Sequence, residues 1–266
     1  MELIKKIFET FHVLIEEPKS YDTFHLLFIF YGLVVVALLA YFLRNTNEKQ
    51  NKIVLLTCSL ILILSEIYKQ LYYVFILGEP GYDWNVIPFQ LCSVPMYLCF
   101  IVVFLKPGKV KNAMYNFLAI FNMFGGAISF TEPSGLLHPN LFLTAHSCVW
   151  HMLLVFIGVY LMVTKRAATK LKDYLGSMAV FGCVASLAQI FNIIFMNKDV
   201  NLFYISPFKP NPIAVFRDFW YIIGPWATMI LYIACILAGA FIFFAIILYS
   251  CKLIKLIVSK IKLSFE

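Results

Sequence analysis

Seven long runs of apolar residues divide this sequence, and each is long enough to cross a lipid bilayer as a helix. They cover approximately residues 24–43, 53–77, 84–105, 113–130, 141–163, 174–196 and 221–250. Hydrophobic residues make up 62% of the 266-residue chain and charged residues only 13%, too few to cover a water-soluble globule. The sequence therefore predicts an all-α, polytopic membrane protein with seven transmembrane helices in a single membrane domain over residues 1–266.

The first 20 residues interleave charged and apolar side chains. Apolar residues recur there at helical spacing, at positions 3, 4, 7, 8, 11 and 14. This segment lacks the uninterrupted apolar centre of a cleavable signal peptide. We therefore expect residues 1–20 to form an amphipathic helix that lies on the membrane surface.

Basic residues concentrate in alternate connections between the apolar runs. Several Lys or Arg residues follow the first, third, fifth and seventh runs, whereas the connections after the second and fourth runs contain none. Cytoplasmic loops are enriched in Lys and Arg, so this pattern predicts a multi-pass cell-membrane protein with its N-terminus outside and its C-terminus in the cytoplasm. Because this placement accounts for the net charge of +7, we expect no nucleic-acid partner.

Several polar side chains fall within the outer half of the predicted spans. The second span contains Glu66 and Lys69, which are three residues apart and thus share one helical face. A charge in hydrocarbon is costly, so we expect these two residues to neutralise each other. At ~1.5 Å per residue, they lie ~12 to 16 Å below the outer surface. The same layer holds Cys92, His146, His151, Gln90 and Gln189.

A cysteine in this layer is a candidate nucleophile. A buried thiol becomes reactive when a neighbouring His or Lys favours the thiolate, and either His146 or His151 can act as general base for Cys92. The alternative is that Cys92 is a packing residue and that the histidines are hydrogen-bonded parts of the core. Zinc is a weaker hypothesis, because His146 and His151 are ~140° apart around their helix. We expect no metal and no other cofactor.

The segment WNVIPFQLCSVPMYL, residues 84–98, resembles the Leu-Pro-Leu-His-Leu-Cys segment of the YwaF family of small bacterial membrane proteins. HPNLFLTAHSCVWH resembles its Pro-His and Ser-His stretch, and NLFYISPFKPNPIAVFRDFWYIIGPW resembles its Asn-Tyr loop and closing Gly-Pro-Trp. The resemblance runs from about residue 50 to 240. Gln90 stands where the family has His, and Ala145 stands where it has Ser.

The YwaF family is similar to the eukaryotic transmembrane protein 164 family, whose activity is transfer of fatty acyl chains onto lysophospholipids with a proposed Cys nucleophile. The resemblance implies that Cys92 is the nucleophile and His146 its base, and we expect His151 to orient the pair. We expect a membrane-embedded lipid acyltransferase or lipid hydrolase that acts on a membrane phospholipid or lysophospholipid. The expected substrate-binding residues are Glu66, Lys69, Asn85, Gln90, Gln189, Asn192, Asn201 and Tyr204.

A second hypothesis is a non-enzymatic transporter, receptor or lipid-binding membrane protein. In that case Glu66, Lys69 and the histidines line a polar cavity, since intramembrane charges also mark transport pathways. The connection between residues 197 and 220 is too apolar for a free loop under either hypothesis. We expect it to pack over the outer mouth of the site as a lid or re-entrant segment.

Overall fold

The computed structural model describes residues 2–10, 12–77 and 84–264. Its helices are α1 (Glu2–Thr10), α2 (Thr23–Phe42), α3 (Glu48–Tyr72), α4 (Val94–Val102), α5 (Lys109–Ile128), α6 (Leu141–Val163), α7 (Asp173–Ile194), α8 (Ala214–Ile223) and α9 (Pro225–Ser264). A π-helical turn, Tyr73–Leu77, extends α3. Within the described residues, the one extended pairing is an isolated bridge between Leu14 and Asn140. The all-α prediction is confirmed.

Polar side chains begin three of the long helices. Asp22 and Asn140 accept hydrogen bonds from backbone N–H groups in the first turns of α2 and α6. Asn47 and Gln50 form a reciprocal capping box at the start of α3. Such caps satisfy N–H groups that have no partner within the helix, which places each helix start at a defined residue.

Five of the described helices are long and apolar enough to cross a membrane. They are Thr23–Phe42, Glu48–Leu77, Leu141–Val163, Asp173–Ile194 and Pro225–Ile254. Helix α5 has 20 residues, but its sequence includes two lysines and three asparagines, and most of its length is buried by other helices. A membrane protein with multiple spans is therefore supported, while the number seven stays a prediction.

The third predicted span, residues 84–105, is not one continuous helix. Short 3₁₀ turns at Trp84–Val86 and Leu91–Ser93 flank a non-helical stretch, and α4 adds only nine residues. Pro88 lacks a backbone N–H and disfavours helical geometry in the residue before it, which explains the break. Pro95 is tolerated because it lies in the first turn of α4. Cys92 consequently lies in a 3₁₀ turn at the entrance to a short helix.

The last predicted span also begins later than expected. Residues 221–223 belong to α8, and Gly224 separates α8 from α9 with a φ of 88°. Glycine adopts positive φ without steric cost, so the chain turns here and α9 begins at Pro225. The connection predicted as a lid contains a 3₁₀ turn, Leu202–Tyr204, and most of α8.

The N-terminal helix is shorter than predicted. Helix α1 ends at Thr10, and residues 13–15 are extended and hydrogen-bonded to residues 139–141. Position 11 and several apolar side chains of α1 lie outside the described part of the chain. The ring of Phe8 packs against Tyr68 and Phe75 at the end of α3. The location of α1 at a membrane surface stays a prediction.

Helix α5 lies at the centre of the bundle, between α6 and α7. Asn122 donates hydrogen bonds to the carbonyl oxygens of Leu118 and Leu154, which links α5 to α6. A Cβ atom at Gly126 would lie 2.9 Å from the carbonyl oxygen of His151, so glycine permits the close approach of the two helices there. This packing fixes the turn of α6 that bears His151.

Candidate functional site

The predicted intramembrane ion pair is present on α3. The Nζ of Lys69 lies 2.8 Å from Oε1 of Glu66, and Glu66 is 4% exposed. The side-chain amide of Gln70 donates to the same carboxylate oxygen at 2.8 Å and to the carbonyl oxygen of Val86 at 2.6 Å. Gln70 therefore ties the ion pair to the segment that leads to Cys92.

Lys69 lies near three of the predicted site residues. Its ammonium group is close enough to interact electrostatically with Cys92, His146 and His151, which come from two other segments. The carboxylate of Glu66 also acts on Cys92. The structure thus brings the thiol, both imidazoles and the ion pair into one region.

The two imidazoles differ in their hydrogen bonds. Nδ1 of His146 lies 2.6 Å from the hydroxyl oxygen of Ser65, and the His146 ring packs against Trp150. Nδ1 of His151 donates to the carbonyl oxygen of Ser147 at 2.8 Å. A carbonyl only accepts, so the neutral His151 ring carries its proton on Nδ1 and a lone pair on Nε2. That Nε2 forms no hydrogen bond with any described residue.

Cys92 is attached to α6 through its backbone. The indole Nε1 of Trp150 donates to the carbonyl oxygen of Cys92 at 3.0 Å. Cys92 is partly exposed, whereas Cys99, which lies in α4, is fully buried. Among the described residues, the Cys92 thiol forms no hydrogen bond with His146 or His151. The structure therefore places Cys92 beside the histidine-bearing turns of α6 without a formed thiol–imidazole contact.

The predicted amide residues bind the loop that follows α7. Gln90 donates to the carbonyl oxygen of Asn201 at 3.2 Å and accepts from the backbone N–H of Phe203 at 2.8 Å. Asn192 donates to the carbonyl oxygen of Leu202 at 3.1 Å and accepts from the Leu202 N–H at 2.8 Å. These contacts hold the loop against the turn that bears Cys92. Substrate binding by these side chains stays a prediction.

The other predicted substrate residues also have places in this loop or beside it. The Asn201 side chain donates to the carbonyl oxygens of Lys209 and Pro210 and accepts from the Ser206 N–H. Gln189 accepts a long hydrogen bond of 3.4 Å from Asn192. Tyr204 has a φ of 58° and is 38% exposed. The side chain of Asn85 lies outside the described part of the structure.

Two grooves flank the polar face of α3. One, of about 470 Å³, lies between α3 and α4, and its lining includes Glu66, Gln70 and Tyr97 among aliphatic and aromatic side chains. The other, of about 440 Å³, lies between α3 and α6 and is lined by Ser65, Tyr68, Phe142, Ala145, His146 and Val149. Both grooves place apolar walls next to the ion-pair region, as an acyl chain requires.

Four residues at this site were not predicted from the sequence. They are Ser65, Gln70, Ser147 and Trp150, which position the histidines, the ion pair and Cys92 through hydrogen bonds. Helical spacing offered a signal for some of them, because Gln70 is four residues from Glu66 and Ser147 is four residues from His151. In the part of the chain that the structure describes, no three His, Cys, Asp or Glu side chains converge on a metal site.

Comparison with known proteins assigns most of the chain to one family. The family model described as the TMEM164 family matches residues 20–252. No curated protein and no solved structure matches the chain. The matched range includes all predicted site residues and α2 to α8. It confirms the expected relation to transmembrane protein 164, while the YwaF name itself stays a prediction.

Proposed function

Because this chain belongs to the TMEM164 family, we propose that it transfers or hydrolyses acyl chains of membrane phospholipids through a thioester on Cys92. The observation that carries this proposal is that Glu66 and His146 line two apolar grooves beside α3, and that Cys92, Lys69 and His151 lie near them. An acyl chain in either groove brings its ester toward this group from within the membrane. Thioester chemistry needs a thiol and a base, and a nearby cation stabilises the thiolate.

In the first step, the Cys92 sulfur attacks the ester carbonyl carbon of a phospholipid while a histidine accepts the thiol proton. The bond between the carbonyl carbon and the glycerol oxygen then breaks, and the leaving oxygen takes that proton to give a lysophospholipid. In the second step, a hydroxyl of a lysophospholipid, or water, attacks the thioester. The same histidine removes the proton of the attacking group and returns it to the Cys92 sulfur.

We assign the base to His151 rather than to His146, the residue that the family resemblance favoured. Ser147 holds the proton of His151 on Nδ1, so Nε2 is the basic atom, and it has no competing hydrogen bond with a described residue. The Nδ1 of His146 contacts the Ser65 hydroxyl, which can donate or accept, so this contact does not fix the basic nitrogen of His146. In this proposal the thiol–imidazole contact forms on substrate binding, since catalytic hydrogen bonds often tighten only in the substrate complex.

The Lys69 ammonium favours the Cys92 thiolate, and the Glu66 carboxylate opposes this effect. A cation beside a cysteine favours the thiolate, and Lys69 supplies that cation within the apolar layer. Glu66 fixes the Lys69 ammonium at 2.8 Å and balances its charge. Gln90 acts as a positioning residue, because both atoms of its amide hold the loop against the Cys92 turn.

The test is acyl-chain turnover by the full protein in lipid vesicles. Labelled phospholipid is supplied with and without lysophospholipid, so that transfer and hydrolysis are measured separately. Replacement Cys92→Ser is expected to abolish both, and His151→Gln to reduce them by roughly 10²-fold or more. His146→Gln is expected to retain most of the activity. Cys183→Ala, at an exposed cysteine on α7, is the matched control and keeps full activity. Full turnover by the Cys92→Ser variant would overturn the proposal.

A second candidate, a lipid-binding or lipid-moving protein without chemistry, is favoured by one observation. The carboxylate of Glu66 is buried and its residue lines the groove between α3 and α4. An intramembrane acid in an accessible groove is typical of transport pathways. In that case Glu66→Gln stops lipid movement between leaflets, whereas Cys92→Ala changes nothing.

A further inference from the structure

A larger groove runs along the side of α2 that faces α3 and α6. It has a volume of about 860 Å³ and lies between α2, the first half of α3, and α6. Its α2 side extends from Phe24 to Leu43, a length of ~28 Å at the helical rise. Its lining is apolar except for the hydroxyl groups of Tyr31 and Thr57 and the thiol of Cys58. The groove adjoins the groove between α3 and α6 at Val149, but its α3 wall ends at Ile61, before Glu66 and Lys69.

The end of this groove near the turn between α2 and α3 is strongly basic. Arg44, Lys49 and Lys52 are exposed there, directly beside the groove residues Leu43 and Ile53. Arg44 is held in place, since its guanidinium stacks on the Tyr41 ring at 3.8 Å and donates to the Tyr41 carbonyl oxygen at 2.7 Å. The ends of the two helices thus place fixed positive charge at the mouth of an apolar channel.

The acidic residue of this turn does not cancel that charge. Glu48 is the one Asp or Glu between residues 43 and 53. Its carboxylate lies 3.3 Å from Nε of Arg166, which also donates to the carbonyl oxygen of Thr46 at 2.6 Å. Arg166 therefore offsets Glu48, and the turn keeps the charge of its own three basic residues.

We propose that this groove and turn bind an anionic phospholipid of the leaflet that faces the basic loops. An acyl chain lies between α2, α3 and α6, and the phosphate contacts Arg44 and Lys52. The apolar walls suit a hydrocarbon chain, and clustered Lys and Arg at the membrane surface attract anionic head groups. A second copy of this chain is a poorer occupant, because a symmetric pairing here places the basic turns of both copies close together.

Native mass spectrometry of the full protein in neutral detergent tests this site. Phosphatidylglycerol and phosphatidylcholine with identical acyl chains are titrated separately, and the bound fraction is measured. We expect phosphatidylglycerol to bind more tightly. The double variant Arg44→Gln/Lys52→Gln is expected to weaken phosphatidylglycerol binding by roughly tenfold or more and to leave phosphatidylcholine binding nearly unchanged. The control Lys106→Gln/Lys109→Gln removes the same charge from another basic loop, where both residues are exposed, and keeps the preference.

The apolar half of the site is tested by filling the groove. Val35 lines the groove and Val34 does not, although both are exposed on α2. Val35→Trp is expected to reduce binding of both lipids several-fold, and Val34→Trp to leave it unchanged. Thermal unfolding of each variant confirms that it is folded. Equal affinity for the two lipids, unchanged binding after Arg44→Gln/Lys52→Gln, or a dimer that Val35→Trp dissociates would each overturn the proposal.

Discussion

The indole Nε1 of Trp150 donates a hydrogen bond to the carbonyl oxygen of Cys92 across 3.0 Å. This bond joins α6 to the 3₁₀ turn that precedes α4. The turn is otherwise held by a short helix and a proline-interrupted segment, so its position depends on side-chain contacts from neighbouring elements. Trp150 also packs on His146, which makes it a link between the cysteine and one of the imidazoles.

Replacement Trp150→Phe removes this hydrogen bond and keeps an aromatic ring. The Cys92 carbonyl then lacks a buried partner, so we expect a loss of about 1–2 kcal/mol in the free energy of unfolding. Acyl turnover is expected to fall more steeply than stability, because the thiol loses its fixed position. Thermal unfolding and turnover in vesicles measure the two effects. Trp226→Phe, at an exposed indole, is the control. Equal behaviour of the two variants would show that the bond has no positioning role.

Asn192→Ala releases the loop that Gln90 and Asn192 hold together. Two hydrogen bonds to the backbone of Leu202 are lost, and both Leu202 groups become unsatisfied in a buried place. We expect a loss of roughly 2–4 kcal/mol. Limited proteolysis is expected to cut the chain between residues 200 and 211 faster than in the wild type. Asn197→Ala, at an exposed position near the end of α7, should leave the rate unchanged. If Asn192→Ala is cleaved no faster than the wild type, the assigned role is wrong.

The Glu66–Lys69 pair is expected to act as a unit. Glu66→Gln leaves the Lys69 ammonium without its counter-charge in an apolar layer, and we expect a loss of roughly 1–3 kcal/mol, because the Lys69 side chain retains 20% exposure. The double variant Glu66→Gln/Lys69→Met removes both charges and is expected to be more stable than Glu66→Gln alone. Denaturant unfolding of the single and double variants gives the coupling energy. Simple additivity of the two changes would show that the pair is not coupled.

His138, between α5 and α6, is expected to make stability depend on pH. Burial lowers the pKa of its imidazole from the ordinary value of 6.5, and the charge of Glu17 opposes this shift in part. The unfolded chain therefore binds the proton more readily, so the contribution is complete above about pH 6.5 and is lost as the pH falls through the folded-state pKa. Melting temperatures between pH 8 and 5 should fall less in His138→Gln than in the wild type. Parallel profiles would contradict this assignment.

Sequence patterns predicted the membrane class and the pairing of Glu66 with Lys69, because both follow from the apolar content and periodicity of single helices. They did not predict the break at Pro88 inside residues 84–105. A run of apolar residues shows that a segment is buried, but the proline and the side chains that accept its freed backbone groups decide whether it is helical.

The proton position on His151 also lay beyond the sequence. Depth along α6 placed both near Cys92, but the proton position of His151 depends on its hydrogen bond to Ser147 within the same helix. The sequence predicted substrate contacts for Gln90 and Asn192, which stay a prediction, but it did not predict their hydrogen bonds to backbone groups more than 100 residues away for Gln90 and ten residues away for Asn192. Such partners emerge only from the folded loop.

The central claim is that Cys92 carries the acyl chain. Peptide mass spectrometry after incubation with labelled phospholipid, without an acyl acceptor, tests it most directly. We predict a labelled acyl group on the peptide that contains Cys92, released by neutral hydroxylamine as thioesters are, and formed more slowly in His151→Gln, which lacks the base that accepts the thiol proton. An unmodified Cys92 peptide in a protein that turns over the same lipid would contradict the account.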